Sequence, residues 1–189
     1  MSLNFIDDWE GMWAPYDEPT YSAVLEQIRD DDIVLEIGAG DLRLAKRIAQ
    51  RAAKTIAIER RSELVGNPGF DLLDNCQVII ADARRIPFPK DISVAVLLMR
   101  HCASLAEYWN ELKRTRCQKL ITNARWRVGI ETIDLTIDRV LFESVRLGWY
   151  ACRCGGTGFV PGEAEQITDR ILNRTWEVGG CPACQTGHD

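Results

Sequence analysis

No apolar run in this chain approaches the roughly 20 residues a bilayer-spanning helix needs. The opening Met1 to Glu10 has neither the basic stretch nor the apolar core of a secretory signal. Both absences point to a cytoplasmic protein. There is no internal repeat and no low-complexity tract, which excludes solenoids and arrays. The Lys-Ser/Thr of a nucleotide-hydrolysing phosphate loop is missing. Cysteine is present seven times, an odd number, and a cytoplasmic setting argues against a disulfide framework.

What is there suits one well-cored domain over residues 1–189, with 46% hydrophobic and 27% charged residues. The net charge of −5 is unevenly spread. Residues 1–41 hold eleven acids and one base, and residues 100–127 hold seven bases and two acids. Both are ordinarily solvated surface, although a basic segment also attracts anions.

Hydrophobic periodicity gives the element order. Pro19 suits a first helical turn, and Tyr21, Val24, Leu25 and Ile28 follow on one face. Ile33 to Ile37 reads as a buried strand. Leu42, Ala45, Ile48, Ala49 and Ala52 mark a second helix, and Thr55 to Ile58 a second strand ending on Glu59. Gln77 to Ala81 is a third strand ending on Asp82, and Ile92 to Met99 a fourth, apolar except at Ser93. Ser104 and Glu107 have capping-box spacing before a helix carrying Leu105, Tyr108, Trp109 and Leu112. Lys119 to Asn123 is a fifth strand. Alternating strands and helices predict a mostly parallel α/β sheet. Residues 128–140 fit helix or strand equally. Val140 to Cys154 and Ile171 to Val178 read as an antiparallel strand pair at the sheet's end, within 140–189.

The first strand runs into Gly38-Ala39-Gly40, a turn that lets a ligand approach bare backbone. A dinucleotide fold wants a small residue at the third position, and Arg43 stands there, which counts against NAD or FAD. The ordered set Leu35-Glu36-Ile37-Gly38-Ala39-Gly40, Ile58-Glu59 and Ala81-Asp82-Ala83 instead resembles the class I S-adenosylmethionine-dependent methyltransferases, over roughly residues 15 to 125. The resemblance implies a Rossmann-like doubly wound sheet with helices on both faces, and S-adenosylmethionine as cofactor. It implies that Gly38, Ala39 and Gly40 pass under the methionine and ribose moieties and that Glu59 accepts from both ribose hydroxyls. It places Asp82 on the adenine amino group, with the Ala83 amide on a ring nitrogen. Glu36 would orient the turn or reach the cofactor's amino group; the plainer reading makes it a structural carboxylate on backbone amides. The segment Pro15-Tyr16 to Thr20-Tyr21 would lie over the cofactor.

In that family the substrate-facing residues follow the fourth strand, where this chain reads Leu98-Met99-Arg100-His101-Cys102. Neither the Asn/Asp-Pro-Pro-aromatic motif of amino-methylating enzymes nor the Pro-Cys pair of cytosine-C5 enzymes is present, so no acceptor carries over. His101 is a candidate general base or a structural histidine. Arg100 is a candidate anion ligand. Arg84-Arg85 and Arg125-Trp126-Arg127 lie past strand ends, where α/β sheets bind ligands; Arg alternating with Trp suits RNA, or a Trp packed under Arg stems. Methyl transfer asks chiefly for positioning and desolvation, so the lack of an acid–base pair does not exclude catalysis. The reading is thus an S-adenosylmethionine-dependent methyltransferase with an unidentified acceptor, RNA and protein being the candidates. The alternative is a non-catalytic module of the same fold that contacts RNA or protein.

The remaining cysteines cluster. Cys152-Arg153-Cys154 precedes Gly155-Gly156, and Cys181-Pro182-Ala183-Cys184 follows Gly179-Gly180. Four thiolates on two glycine-flanked knuckles suit structural zinc. Reduced free thiols, an iron–sulfur centre and a redox pair are the alternatives; the last lacks a thioredoxin-like strand-to-helix context. His188 is a spare ligand candidate. Cys76, Cys102 and Cys117 read as small buried hydrophobes.

Overall fold

Strand β1 (Ile33–Ile37) is inner to a six-stranded sheet, buried on both faces and paired on both edges. The computed structural model describes residues 14–66, 72–126 and 129–186. With β2 (Lys54–Glu59), β3 (Cys76–Ile80), β4 (Val94–Leu97), β5 (Lys119–Thr122) and β6 (Glu131–Asp134), the sheet runs in the order β3-β2-β1-β4-β5-β6. The first five strands are parallel, and β6 returns antiparallel to β5. The strand order reverses between β1 and β4, the switch point at which open α/β sheets bind ligands.

Side-chain alternation along each strand feeds two cores. Leu35, Ile37, Ala95, Leu97 and Leu120 pack against Leu105, Trp109 and Leu112 of α4 (Leu105–Arg114). Val34, Val94, Val96 and Ile121 pack on the other face against α1 (Glu18–Leu25) and α2 (Arg43–Ala49) through Tyr21, Val24, Leu44 and Ile48. A short α3 (Ser62–Val65) follows β2. This is the mostly parallel α/β sheet expected from the strand runs, in the doubly wound, Rossmann-like form that the resemblance implies.

Local chemistry sets the helix ends. Asp17 caps α1 by accepting the Thr20 N–H at 3.0 Å, and Pro19 fits the first turn, where an N–H has no partner to lose. α2 is shorter than its apolar face suggests, ending at Ala49. At α4 the expected capping box is not formed: Ser104 occupies the cap position but its side chain makes no cap hydrogen bond. Burial of Leu105, Tyr108, Trp109 and Leu112 holds that helix instead.

The C-terminal strands differ from the expected antiparallel pair at the end of the sheet. They form a second sheet of three strands, β8-β7-β9, from β7 (Gly148–Cys152), β8 (Thr157–Val160) and β9 (Thr175–Val178). β7 and β8 are an antiparallel hairpin turning at Gly155, whose φ of 95° is left-handed. β9 lies parallel to β7, with Cys152 level with Val178. β9 runs opposite to β8 on the far side of β7, and the connection 161–174 carries the chain past β7, holding a 3-10 turn (Ala164–Gln166) and α5 (Asp169–Leu172). The apolar start Ile171-Leu172, expected in a strand, is therefore helical. Likewise only 148–152 of the run 140–154 is strand, and Phe142–Ser144 is a 3-10 turn. A last helix, α6 (Pro182–Thr186), carries Cys184.

Candidate functional site

The turn after β1 is built from left-handed backbone. Gly38 has φ 75°, Gly40 56° and Leu42 66°. A Cβ on Gly38 would come within 3.1 Å of Met99 Cε, so the turn runs close against the segment after β4. Its amides are held from within. Gly38 N–H and Ala39 N–H both donate to Ile58 O, at 2.9 and 3.1 Å. Gly40 N–H donates to Glu59 Oε2 at 2.8 Å, and Leu42 N–H to Ala39 O at 3.0 Å. The Arg43 amide donates to Asp41 Oδ1 at 3.2 Å. Glu59 thus ties the end of β2 to the turn, and its other oxygen accepts the Arg61 N–H at 2.9 Å. A carboxylate has about four acceptor positions, so each Glu59 oxygen keeps capacity for one more donor.

Glu36 differs from its neighbours. It is 5% exposed, and its Oε2 is buried with no hydrogen-bond partner. The structural reading, a carboxylate satisfied by backbone amides, does not describe that oxygen. Burial, and then the negative charges of Asp41 and Glu59, push its pKa well above the usual carboxylate range.

Asp82 sits past β3 and is engaged by its own loop. Its Oδ1 accepts from the Arg84 amide and Nε, both at 3.0 Å, and Oδ2 accepts Arg84 Nη2 at 2.8 Å. The Arg84 hydrogen bonds lead in lowering its pKa to about 2. Arg84 and Arg85 also line a cavity of about 490 Å³ with Tyr108, Asn110 and Arg114. Ala83 is buried beside them.

Tyr16 and Arg100 are brought together across the edge of the sheet. The Arg100 guanidinium lies 5.3 Å from the Tyr16 ring centroid, and the Arg100 amide donates to the Tyr16 hydroxyl at 3.4 Å. The Tyr16 amide in turn donates to the Tyr21 hydroxyl at 3.0 Å. The segment before α1 is therefore strapped against the residues that follow β4. His101, with φ 61°, is exposed in the turn that follows.

Arg125 is a correction to the sequence reading. It is 3% exposed and faces no solvent that RNA could reach. Its guanidinium is gripped on two edges: Nε and Nη2 donate to Glu131 at 2.9 and 2.7 Å, and Nη1 and Nη2 donate to Glu177 at 2.7 Å each. These ion pairs latch β9 of the small sheet to the end of β5. Trp126 packs edge-on against Trp149, with centroids 5.9 Å apart. Arg127 lies outside the described residues.

The four clustered cysteines converge. All their sulfurs lie within 4.8 Å of one another, with Cys152–Cys184 at 3.6 Å, Cys154–Cys181 at 3.5 Å and Cys181–Cys184 at 3.9 Å. Tetrahedral zinc with bonds of about 2.3 Å would space its sulfurs at about 3.8 Å. Cys152 closes β7, Cys154 sits in the hairpin turn, and Cys181 and Cys184 flank the start of α6. The Gly156 amide donates to Cys154 Sγ at 3.4 Å, and a Cβ on Gly156 would come within 2.9 Å of Cys181 Sγ. Burial pushes the Cys154 thiol up to about 11. A metal would offset that cost by taking the thiolates as ligands. His188 lies outside the described residues. Cys76 and Cys117 are buried as expected, and Cys102 is half-buried.

Comparison with known proteins finds partial matches. Over 69 residues the chain is 41% identical to "Probable ribosomal RNA small subunit methyltransferase A" of Methanosarcina acetivorans. The chain is similar to ribosomal RNA methyltransferases. That match covers 35% of this chain and 26% of the relative. The Methanosarcina barkeri protein of the same description is 43% identical over 61 residues, covering 31% of this chain and 21% of its own length. The chain thus spans about a quarter of the length of these curated relatives. No protein-family model matches. Among solved structures, a dimethyladenosine transferase from Plasmodium falciparum aligns with TM-score 0.49 and 22% identity, covering 56% of this chain and 41% of that one. An RNA methyltransferase from Salinibacter ruber in complex with S-adenosylhomocysteine aligns with TM-score 0.47 and 18% identity, covering 58% and 76%.

Several residues of the site carried no sequence signal. The partners of Arg125 lie 6 and 52 positions away along the chain. The engagement of Asp82 by Arg84 was foreseeable from the Asp-x-Arg spacing alone, since an Asp side chain readily bonds the amide two residues on.

Proposed function

We propose that the chain binds S-adenosylmethionine over the turn Gly38-Ala39-Gly40 and directs its methyl group to RNA. The observation that carries the reading is the unpartnered, buried Glu36 oxygen beside a bare glycine turn. An ammonium group is the partner that such an oxygen lacks, and the cofactor's methionine end has one. When bound, the cofactor supplies an activated methyl on sulfur. The chain's own residues hold and orient it. Gly38 and Gly40 leave the floor open, and Glu59 has acceptor capacity left for ribose hydroxyls. Asp82 and Ala83 would meet the adenine, with Arg84 sharing or yielding the Asp82 oxygens. Tyr16, strapped over the edge with Arg100, would exclude water above. RNA as acceptor is supported by the curated relatives, named for ribosomal RNA. Arg100, exposed at the edge, is suited to a phosphate, and His101 to proton transfer. In the same reading Cys152, Cys154, Cys181 and Cys184 hold one zinc, which supplies structure only.

Glu36→Gln tests the cofactor site in two ways. A buried acid with a raised pKa keeps its proton in the fold at pH values where the unfolded chain has lost it. Stability then falls as pH rises above the ordinary carboxylate range. The variant should melt above the wild type at pH 7 and level with it below about pH 4. It should also bind S-adenosylhomocysteine about tenfold or more weakly, since a charged hydrogen bond of about 1.5–3 kcal/mol is lost. Equal affinity in calorimetry would remove Glu36 from the site. Binding of NADH in place of S-adenosylhomocysteine would overturn the cofactor assignment as a whole.

A further inference from the structure

The β7–β8 hairpin is a basic island in an acidic chain. Residues 144–162 hold Arg146 and Arg153 and no acid, although the net charge is −5. Three aromatic rings meet on this hairpin and beside it. Trp149 of β7 is level with Phe159 of β8, with ring centroids 5.0 Å apart and planes at 74°. Trp126 meets Trp149 at 5.9 Å and 80°. Both contacts are edge to face, and each covers the face of one ring only. Most of the ring faces are therefore not taken up within the cluster. Trp149 is 37% exposed, and Phe159 and Trp126 are half-buried, so solvent reaches these rings.

Two contacts fix where the hairpin stands. Glu177 of β9, level with Ala151 of β7, grips Arg125 just past the end of β5. In open α/β sheets that end of the strands is the one that binds ligands. The hairpin turn also reaches the segment after β4. A Cβ on Gly155 would lie 3.9 Å from Leu105 Cδ2, at the start of α4 and five residues beyond Arg100. Cys152 and Cys154 turn their sulfurs to the thiol cluster, and side chains alternate along a strand, so Arg153 between them points away from it. Arg153 is exposed and has no ion pair among the described residues. It lies four residues from Trp149, on the order of 13 Å at strand rise. Ala151 between them is buried. The open path from one to the other therefore runs over the edge strand β8, where Thr157 and Phe159 are half-buried.

We propose that the outer edge of the β7–β8 hairpin docks single-stranded RNA, with Trp149 stacking a base and Arg153 holding a phosphate. The inference rests on the RNA methyl-transfer reading above. A ring face accepts any base, and a guanidinium binds a phosphate through two parallel bonds. A duplex keeps its bases in its own stack, so the surface selects unpaired strands. The hairpin has no carboxylate to repel the backbone, and it flanks the segment after β4 where the acceptor is proposed to sit.

The test titrates labelled oligo(A), and an abasic strand of equal length, against wild type and variants by fluorescence anisotropy. The two strands carry the same phosphates, so their ratio isolates stacking. Wild type should prefer oligo(A) by about tenfold, and Trp149→Ala should bind both strands alike. Trp149→Phe keeps a ring and should restore most of the preference. Trp149→Leu replaces the alanine variant if that one fails to fold. Arg153→Gln should keep the preference and flatten the slope of log affinity against log salt by about 0.7, the share of one phosphate contact on a single strand. A preference that persists without the Trp149 ring, or a salt slope unchanged by Arg153→Gln, overturns the proposal. Arg100→Gln separates this surface from the reading it rests on. If that variant weakens oligo(A) binding and Trp149→Ala does not, the RNA reading stands and the hairpin surface falls. If wild type stacks oligo(A) on Trp149 and binds no S-adenosylhomocysteine, the surface stands and the methyl-transfer reading falls. A wild type that binds no oligo(A) overturns both.

Discussion

Stripping metal from the purified protein with a chelator is expected to unfold the three-stranded sheet and leave the six-stranded one standing. The small sheet has a thin core. Val145, Cys152, Val178 and Cys181 are its buried members, and two of the four are proposed ligands. Structural zinc contributes about 10–16 kcal/mol of apparent binding energy in small domains. That is as large as the whole stability of an ordinary domain. The main sheet needs none of it, since Leu35, Leu97, Trp109, Leu112 and Leu120 form a dry cluster of their own. Hydrogen exchange reads the outcome strand by strand. Protection should vanish in β7, β8 and β9 and persist in β1, β2 and β4. Cys181→Ser should reproduce the chelated pattern, with less than about one-tenth of the native zinc content. Gly156→Ala should approach it, because the added methyl would crowd the Cys181 sulfur at 2.9 Å. Protein that contains no zinc as purified, or that keeps full protection in β7 after chelation, would rule out the metal centre.

The second large effect is at Arg125. Its guanidinium is almost fully buried, while the side chains of Glu131 and Glu177 keep 18% and 25% exposure. Removing the cation leaves two half-buried carboxylates facing each other. Breaking a buried ion pair by deleting one partner costs about 3–5 kcal/mol. Arg125→Ala should fall near the lower end, since both carboxylates retain some water. The diagnostic comparison is Arg125→Met combined with Glu131→Gln and Glu177→Gln. If the loss comes from stranded charge, the triple variant recovers most of it. If the triple variant is as unstable as Arg125→Ala, the loss is one of packing against Trp109, whose ring centroid lies 5.8 Å from the guanidinium carbon.

Legibility in the sequence followed the physical signal. β1, β2, β4 and β5 are short apolar runs buried on both faces, and such runs announce themselves. β6 did not, because only Ile133 of its four residues is buried, leaving no period to read. The parallel return of β9 was hidden for a different reason. Strand direction depends on the length and path of 161–174, and nothing in residues 175–178 records it. Ser104 and Glu107 have the right spacing for a capping box, yet packing of α4 settled that helix without it. The cysteine set was legible because ligands must be of one chemical kind and come in tight pairs. The Arg125 latch was not, because an arginine followed by a tryptophan looks the same whether it faces RNA or is clamped between acids. Glu36 was legible as a position and not as a state: its missing partner is a property of the folded environment.

The internal bonding of the glycine turn also decides what sign of charge it welcomes. Phosphate loops work by aiming unused backbone amides at an anion. Here the amides of Gly38, Ala39, Gly40, Leu42 and Arg43 already donate within the chain. Beside those amides stand two acids, Glu36 and Glu59, both largely buried. Such a lining is a filter against polyanions. ATP and dinucleotides would bring a diphosphate to a place with few free amides to offer and the Glu59 carboxylate to repel it. A ligand that places positive charge on sulfur and nitrogen meets the opposite field, so nucleotides abundant in the cell would be poor competitors at this turn.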